Sequence, residues 1–447
     1  MTSIPAPALI LCTLLAAGCA APQAAGGARA AAAPLRLESP LAAAALTPGP
    51  VPTGPLRALG PKPASEPEQQ RSDAARAVAA LQQGDFAAAR REAEAVLARD
   101  PSSPDAHLVA AIARYRQAMH LFYLDARTVV FGAAGAGGLN HRYLRATLEQ
   151  TELELAQIDA SLAVAATAPD ISLELCLACW QIDWNHNRRV DRADELLFQI
   201  EIDEQGNPLP EDDARRRPTF RFDRGDVLWA RAFVSFQRAA LDLGLAYDWE
   251  GLDEILAARD DRMPDRVVIR LAHPELVAEA RRLLLAGLAF SDESRRAYLA
   301  ETDDEREWVP SPRQRSHPLP LPVDQALYDT WEGVVGDLQR LVRGEEGLSV
   351  AELAQLGDHQ WKSPPQGYLD LGRMLAAPRD IVLWPKELER LDRAHDVEGA
   401  LRSVLGDYYV RRMKPSPLVR RLQRMKGEMD RGEESMERKL RYLLWIN

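Results

Sequence analysis

A chain of 447 residues, 46% apolar and 27% charged, has enough material for two or three domains' worth of core and the composition of an ordinary globular protein. Its formal charge of −11 argues against nucleic acid as the main partner, since a polyanion would be repelled. Only four Cys occur, two of them within the first 19 residues, so the remainder holds at most one disulfide.

Residues 8–17 form an apolar run too short to span a bilayer as a permanent helix, and the run ends in Leu15-Ala16-Ala17-Gly18-Cys19. That ending resembles the lipobox of bacterial lipoproteins. The resemblance implies a signal peptide over residues 1–19, with Cys19 acylated as the first residue of the mature chain. Ala20 at the next position implies sorting to the outer membrane. Met1-Thr2-Ser3-Ile4 departs from the pattern in having no Lys or Arg. Residues 20–70 contain no aromatic residue and are dominated by Ala, Pro and Gly. Such a segment buries too little apolar surface to offset its ordering entropy, so it reads as a disordered tether reaching about 40 Å.

Helical periodicity begins near Arg71. Gly84 opens a turn, Phe86 and Ala89 take packing positions, and Asp100-Pro101 stops the helix. Residues 71–124 thereby resemble one and a half tetratricopeptide repeats, a helical hairpin and the start of the next. Stacked repeats need three or more units, so the hairpin is expected to pack on later helices. Gly132 to Gly138 is Gly-rich but lacks the Lys-Ser/Thr of a phosphate loop, and it reads as a connector. A long helix follows over residues 141–166.

Residues 183–194 carry side-chain oxygens at alternate positions: Asp183, Asn185, Asn187, then Asp191 and Asp194, with Val190 aliphatic at position 8. A short loop converges on one hard cation only when alternate residues point inward, and calcium wants six to eight oxygens. The spacing predicts a calcium loop flanked by helices, with Arg189 lending its carbonyl. It resembles an EF-hand loop, and the Asp at position 12 resembles that of dockerins. Arg188 stands where the EF-hand has Gly, at a cost on the order of 1 kcal/mol. Dockerins carry two such loops, and this sequence has one. The competing reading is a polar turn whose Asp and Asn residues cap the next helix.

A helix from Pro169 into this loop would contain Cys176-Leu-Ala-Cys179-Trp180. Buried thiols, a local disulfide and a redox pair all remain open, although two Cys on one regular helix sit awkwardly for a bond. Residues 223–247 form a strongly amphipathic helix and the expected central element. More helices are expected near 250–258, 273–289, 323–343, 349–356, 367–376, 386–409 and 416–444. Residues 303–322, rich in Pro and charge, read as an exposed loop. No alternating run is long enough to predict a sheet. The last 37 residues hold 11 Lys or Arg against 5 Asp or Glu, read either as a solvated helix or as a face for anionic lipid.

HExxH, GxSxG and Walker patterns are missing, and the eight His are scattered. The expectation is therefore an all-α, multi-helix array over residues 71–447, tethered to the envelope through Cys19. Its expected role is non-enzymatic: binding or scaffolding other envelope proteins, with calcium held by Asp183, Asn185, Asn187, Arg189, Asp191 and Asp194. The rivals are an envelope enzyme whose site joins residues distant in sequence, and a calcium-responsive regulator.

Overall fold

The computed structural model describes residues 66–136, 140–180, 182–183, 189–190, 194, 198–203, 205–253, 264–302, 306–314, 317–320, 323–356, 365–384 and 397–430. The chain is mostly helical. Helices α1 (Glu66–Gln82) and α2 (Phe86–Leu97) meet at Gly84, whose φ of 76° lies in the left-handed region that favours glycine. Asp85 caps α2 by accepting the Ala88 N–H at 2.8 Å. Helix α3 (Pro104–Ala136) starts on proline, which gives up an N–H that has no helical partner anyway. Helix α4 (His141–Ala165) is capped by Asn140, which accepts the Tyr143 N–H at 3.1 Å. Then come α5 (Arg224–Leu245), α6 (Pro274–Ala300) and α7 (Gln325–Arg343). Through α7 each helix packs on the next in chain order, as in stacked helical repeats.

The first core is shared by α1 to α5 and includes Leu81, Val109, Leu155, Ile158, Leu175 and Val227. A second core gathers Ile200, Phe220, Tyr298, Trp308, Leu319 and Tyr328. Between them runs a two-stranded ribbon, β1 (Leu173–Leu175) antiparallel to β2 (Phe220–Phe222), with Glu174 opposite Arg221. Residue 307 adds to its edge through a parallel bridge to Arg221.

Past α5, strands β3 (Tyr247–Asp248), β4 (Val267–Leu271) and β7 (Ile381–Leu383) make a small antiparallel sheet in that order. Another is built from β5 (Leu348–Ser349), β6 (Tyr368–Leu369) and β8 (Tyr409–Val410). The short helices α8 (Val350–Leu356), α9 (Leu371–Ala376) and α10 (Val397–Leu405) lie around it, followed by α11 (Leu418–Asp430). A buried charge ties α11 to α7: fully buried Asp337 takes the Arg421 guanidinium at 3.1 Å and pairs with Arg340 as well. Such a pair is costly to break from one side, because the survivor is left charged in the interior.

Several sequence expectations need correction. The fold is not all-α: three small sheets are present, their strands two to five residues long and too short to show alternation. The segment from Pro169 to the 183–194 loop is not a helix but β1 followed by a 3-10 turn, Leu177–Cys179. Here Leu173 and Leu175 point into the first core while Glu174 faces out, a two-residue period. Residues 198–202 beyond the loop are not helical either, and Ile202 bridges Pro208. The Gly-rich connector is instead helix at least as far as Ala136. Residues 303–322 are not simply an exposed loop, since Trp308, Val309 and Leu319 are buried in the second core. Apolar side chains spaced among prolines and charges gave no periodic signal there.

Candidate functional site

Helix α5 begins with a reciprocal cap. The Asp223 Oδ1 accepts the Gly225 N–H at 2.6 Å, and the Asp226 Oδ2 accepts the Asp223 N–H at 2.8 Å. The Tyr298 hydroxyl of α6 donates to Asp226 Oδ1 at 2.7 Å, and its ring lies where a Cβ on Gly225 would come within 2.6 Å. Glycine at 225 is therefore a packing requirement.

Two more acids converge on this cap. Glu301 ends α6, and Glu307, 2% exposed, sits on the ribbon edge beside Arg221 at 3.9 Å. Carboxyl oxygens of Asp223, Glu301 and Glu307 all lie within 4.8 Å of one another. Both Glu301 oxygens are shielded from solvent and receive no N–H or O–H hydrogen bond, so a bond to Asp223 requires a proton on one of the two acids. Two like charges about 4 Å apart repel by about 4 kcal/mol at an effective dielectric of about 20, more than the Arg221 guanidinium offsets for the whole group. Burial first, then the bond to Asp223 and the charges of Asp223, Glu307 and Asp226, push Glu301 up to about 10. Burial and the Asp223 charge likewise push Asp226 up to about 8, against the Asp223 N–H, Tyr298 and Arg221. Tyr298 is raised well above its usual value by burial and by Asp226. Tyr328 is raised by burial, then by Glu301 and Asp226, with Arg295 opposing.

The result is a buried carboxyl knot joining the start of α5, the end of α6 and the ribbon edge. Chemically it retains protons at neutral pH, and its hard oxygens are of the kind a divalent cation takes. Its members are far apart in sequence, and the reading of residues 303–322 as solvent-exposed hid Glu307. The signal that was available is Asp223-Arg-Gly-Asp226, the spacing of a reciprocal cap ahead of an apolar run.

The expected calcium ligands are only partly described. Asp183 is half-buried and faces α3: burial lowers the pKa of Arg116 and of His120, Arg116 lowers His120 further, and the Asp183 charge opposes the shift in both. Asp194 is buried, whereas Arg189 and Val190 are exposed. Asn185, Asn187, Asp191 and Cys19 lie outside the described residues. Cys176 and Cys179 are joined as a disulfide, their Cα atoms 5.3 Å apart, which the non-helical turn allows. A shallow depression of about 150 Å³ lies across α2, α3 and α4, bordered by Arg90, Arg114, Leu121, Phe122 and Glu154. No described helix is long and apolar enough to cross a membrane.

No protein-family model matches the chain. Searches of curated proteins and of solved structures return no match either. Function therefore has to be argued from these geometries.

The knot makes stability depend on pH. Folded, Glu301 keeps its proton up to about pH 10; unfolded, it loses it near about pH 4. Its stabilising contribution is thus full below the unfolded value and is lost as pH rises through the folded one, and Asp226 acts with the same sign. The denaturant midpoint should fall steadily from mildly acidic to alkaline pH. Glu301→Gln, which cannot ionise, should reduce that slope by about one proton. Equal slopes for variant and wild type would contradict the assignment.

Proposed function

We propose that the chain is a non-enzymatic helical scaffold of the cell envelope, lipid-anchored at Cys19, that holds another envelope protein on the open face of α3 and α4. One observation carries this reading. Of the five large apolar residues exposed among the described ones, four lie on these two helices: Leu121 at 51%, Leu124 at 37%, Tyr143 at 39% and Leu153 at 50%. Neighbouring polar groups are engaged within the chain: Arg90 with Gln117 at 2.8 Å, Arg114 with Glu154 at 3.6 Å, and Tyr143 with Asp125. What remains on offer is apolar surface beside a groove, the kind of face that an amphipathic helix of a partner covers. Serial packing of the helices supports it further, because stacked arrays leave a long open surface.

A photo-crosslinking residue placed at Leu121 or at Leu153 in the full chain, in cells, tests the face. Each should yield one discrete adduct that a crosslinker at exposed Arg91 of α2 does not. Leu124→Glu should abolish it, and Cys19→Ala should release the chain from the membrane fraction and reduce the yield. Identical adducts from all three positions, or none from α3 and α4, would end the proposal.

Calcium belongs to the proposal through the oxygen spacing of residues 183–194. The described flanks do not form the helix pair of an EF-hand, and Asp183 is turned toward Arg116 and His120, so no mechanism is routed through the ion. Calorimetric titration with calcium should release or absorb heat in the wild type, and Asp183→Asn with Asp194→Asn should remove the signal. Silence at millimolar calcium, or a signal surviving in that variant but lost in Glu307→Gln, would take calcium away from this loop.

A further inference from the structure

The turn that carries the disulfide also carries the residue that fastens two parts of the first core. Trp180 follows Cys179 directly. Its indole N–H donates to the Leu81 carbonyl at 2.9 Å, and its ring packs on Gly84 and edge-on to Phe86 at 5.1 Å. Gln82 adds a bond to the Glu174 carbonyl at 3.1 Å. The α1–α2 turn is thus held to β1 and the disulfide turn mainly through one indole ring. The Leu81 carbonyl also accepts the Gly84 N–H at 2.9 Å, so the indole and the turn share an acceptor.

We propose that Cys176 and Cys179 form a reversible thiol–disulfide site, opened by thiol reductants at Cys179, whose state sets how firmly Trp180 grips the α1–α2 turn. Cys179 is exposed and Cys176 half-buried, so an incoming thiolate reaches the former more readily. Attack forms a bond between the reductant's sulfur and Cys179 Sγ and breaks the Cys176–Cys179 bond. The electron pair leaves on Cys176. That sulfur lies 3.6 Å from the Arg217 carbonyl, which accepts its S–H once a proton from solvent is taken up. A second reductant thiol then attacks the mixed disulfide at the reductant's sulfur. Cys179 leaves as thiolate, and the reductant is oxidised to its own disulfide, two electrons and two protons having passed to the protein. A dithiol protein or a small monothiol balances the reaction equally well.

Little in the covalent topology resists this. The bond closes a ring of only four residues, which constrains the unfolded chain far less than a long loop does. With the bond open, the turn keeps its Cys179-to-Cys176 backbone hydrogen bond at 3.0 Å but loses its cross-link, and Trp180 gains freedom.

The test uses the full chain, oxidised, with millimolar dithiothreitol in native buffer, thiols trapped by alkylation and amide exchange read by mass spectrometry. Both cysteines should alkylate while far-ultraviolet circular dichroism is unchanged. Exchange at Gly84 and Asp85 should quicken by about fivefold or more and return after reoxidation with glutathione disulfide. In Trp180→Phe, which has no indole N–H, exchange there should already be fast and indifferent to reductant. Should that variant fail to fold, the reduction and reoxidation of wild type decides by itself. A pair that resists reductant until the chain is denatured overturns the proposal, as does reduction that leaves Gly84 and Asp85 unchanged.

Discussion

The structure turns on a proton held between carboxyl groups at the start of α5. That helix packs on both α4 and α6, so the position of its first turn fixes how the first core meets the second. The turn is set by the reciprocal cap of Asp223 and Asp226, and the cap is locked by the Tyr298 hydroxyl from α6. Glu301 and Glu307 close around it from the end of α6 and the ribbon edge. Buried acids at this spacing repel unless protons stay with some of them, so the join costs least when it is protonated.

From the knot, a continuous set of contacts runs across the ribbon. Arg221 sits beside Glu307, opposite Glu174 on β1, and its N–H donates to the Arg306 carbonyl at 3.0 Å. Strand β1 leads directly into the disulfide turn and Trp180, which grips the α1–α2 turn. The cores are thus linked through polar and covalent clasps as well as apolar packing. The face offered to a partner, on α3 and α4, stands apart from these clasps and leaves its apolar side chains uncovered.

The sequence revealed much of the helical part. Gly84, Asp85 and Pro104 marked ends correctly because caps and turns are local chemistry, and the amphipathic stripe of residues 223–247 located the central helix to within two residues at either end. Legibility failed where tertiary contacts decide the backbone. Leu173-Glu174-Leu175 is too short to separate a strand from a helical turn, and pairing with Phe220 to Phe222 settles it. Trp308, Val309 and Leu319 lie in a stretch whose prolines and charges suggested solvent, yet Phe220, Phe222, Tyr298 and Tyr328 supply the walls that bury them. Oxygen spacing over residues 183–194 drew attention to one acidic cluster. The acids that do meet come from three separate segments, and no spacing rule joins Asp223 to Glu301 and Glu307.

Infrared spectroscopy reads the protonation of the knot most directly, because a protonated carboxyl absorbs apart from a carboxylate. In folded wild-type protein at neutral pH the account predicts a protonated carboxyl band that disappears on titration into the alkaline range and is missing from Glu301→Gln. A neutral-pH spectrum showing only carboxylates, or a protonated band unaffected by Glu301→Gln, would contradict it.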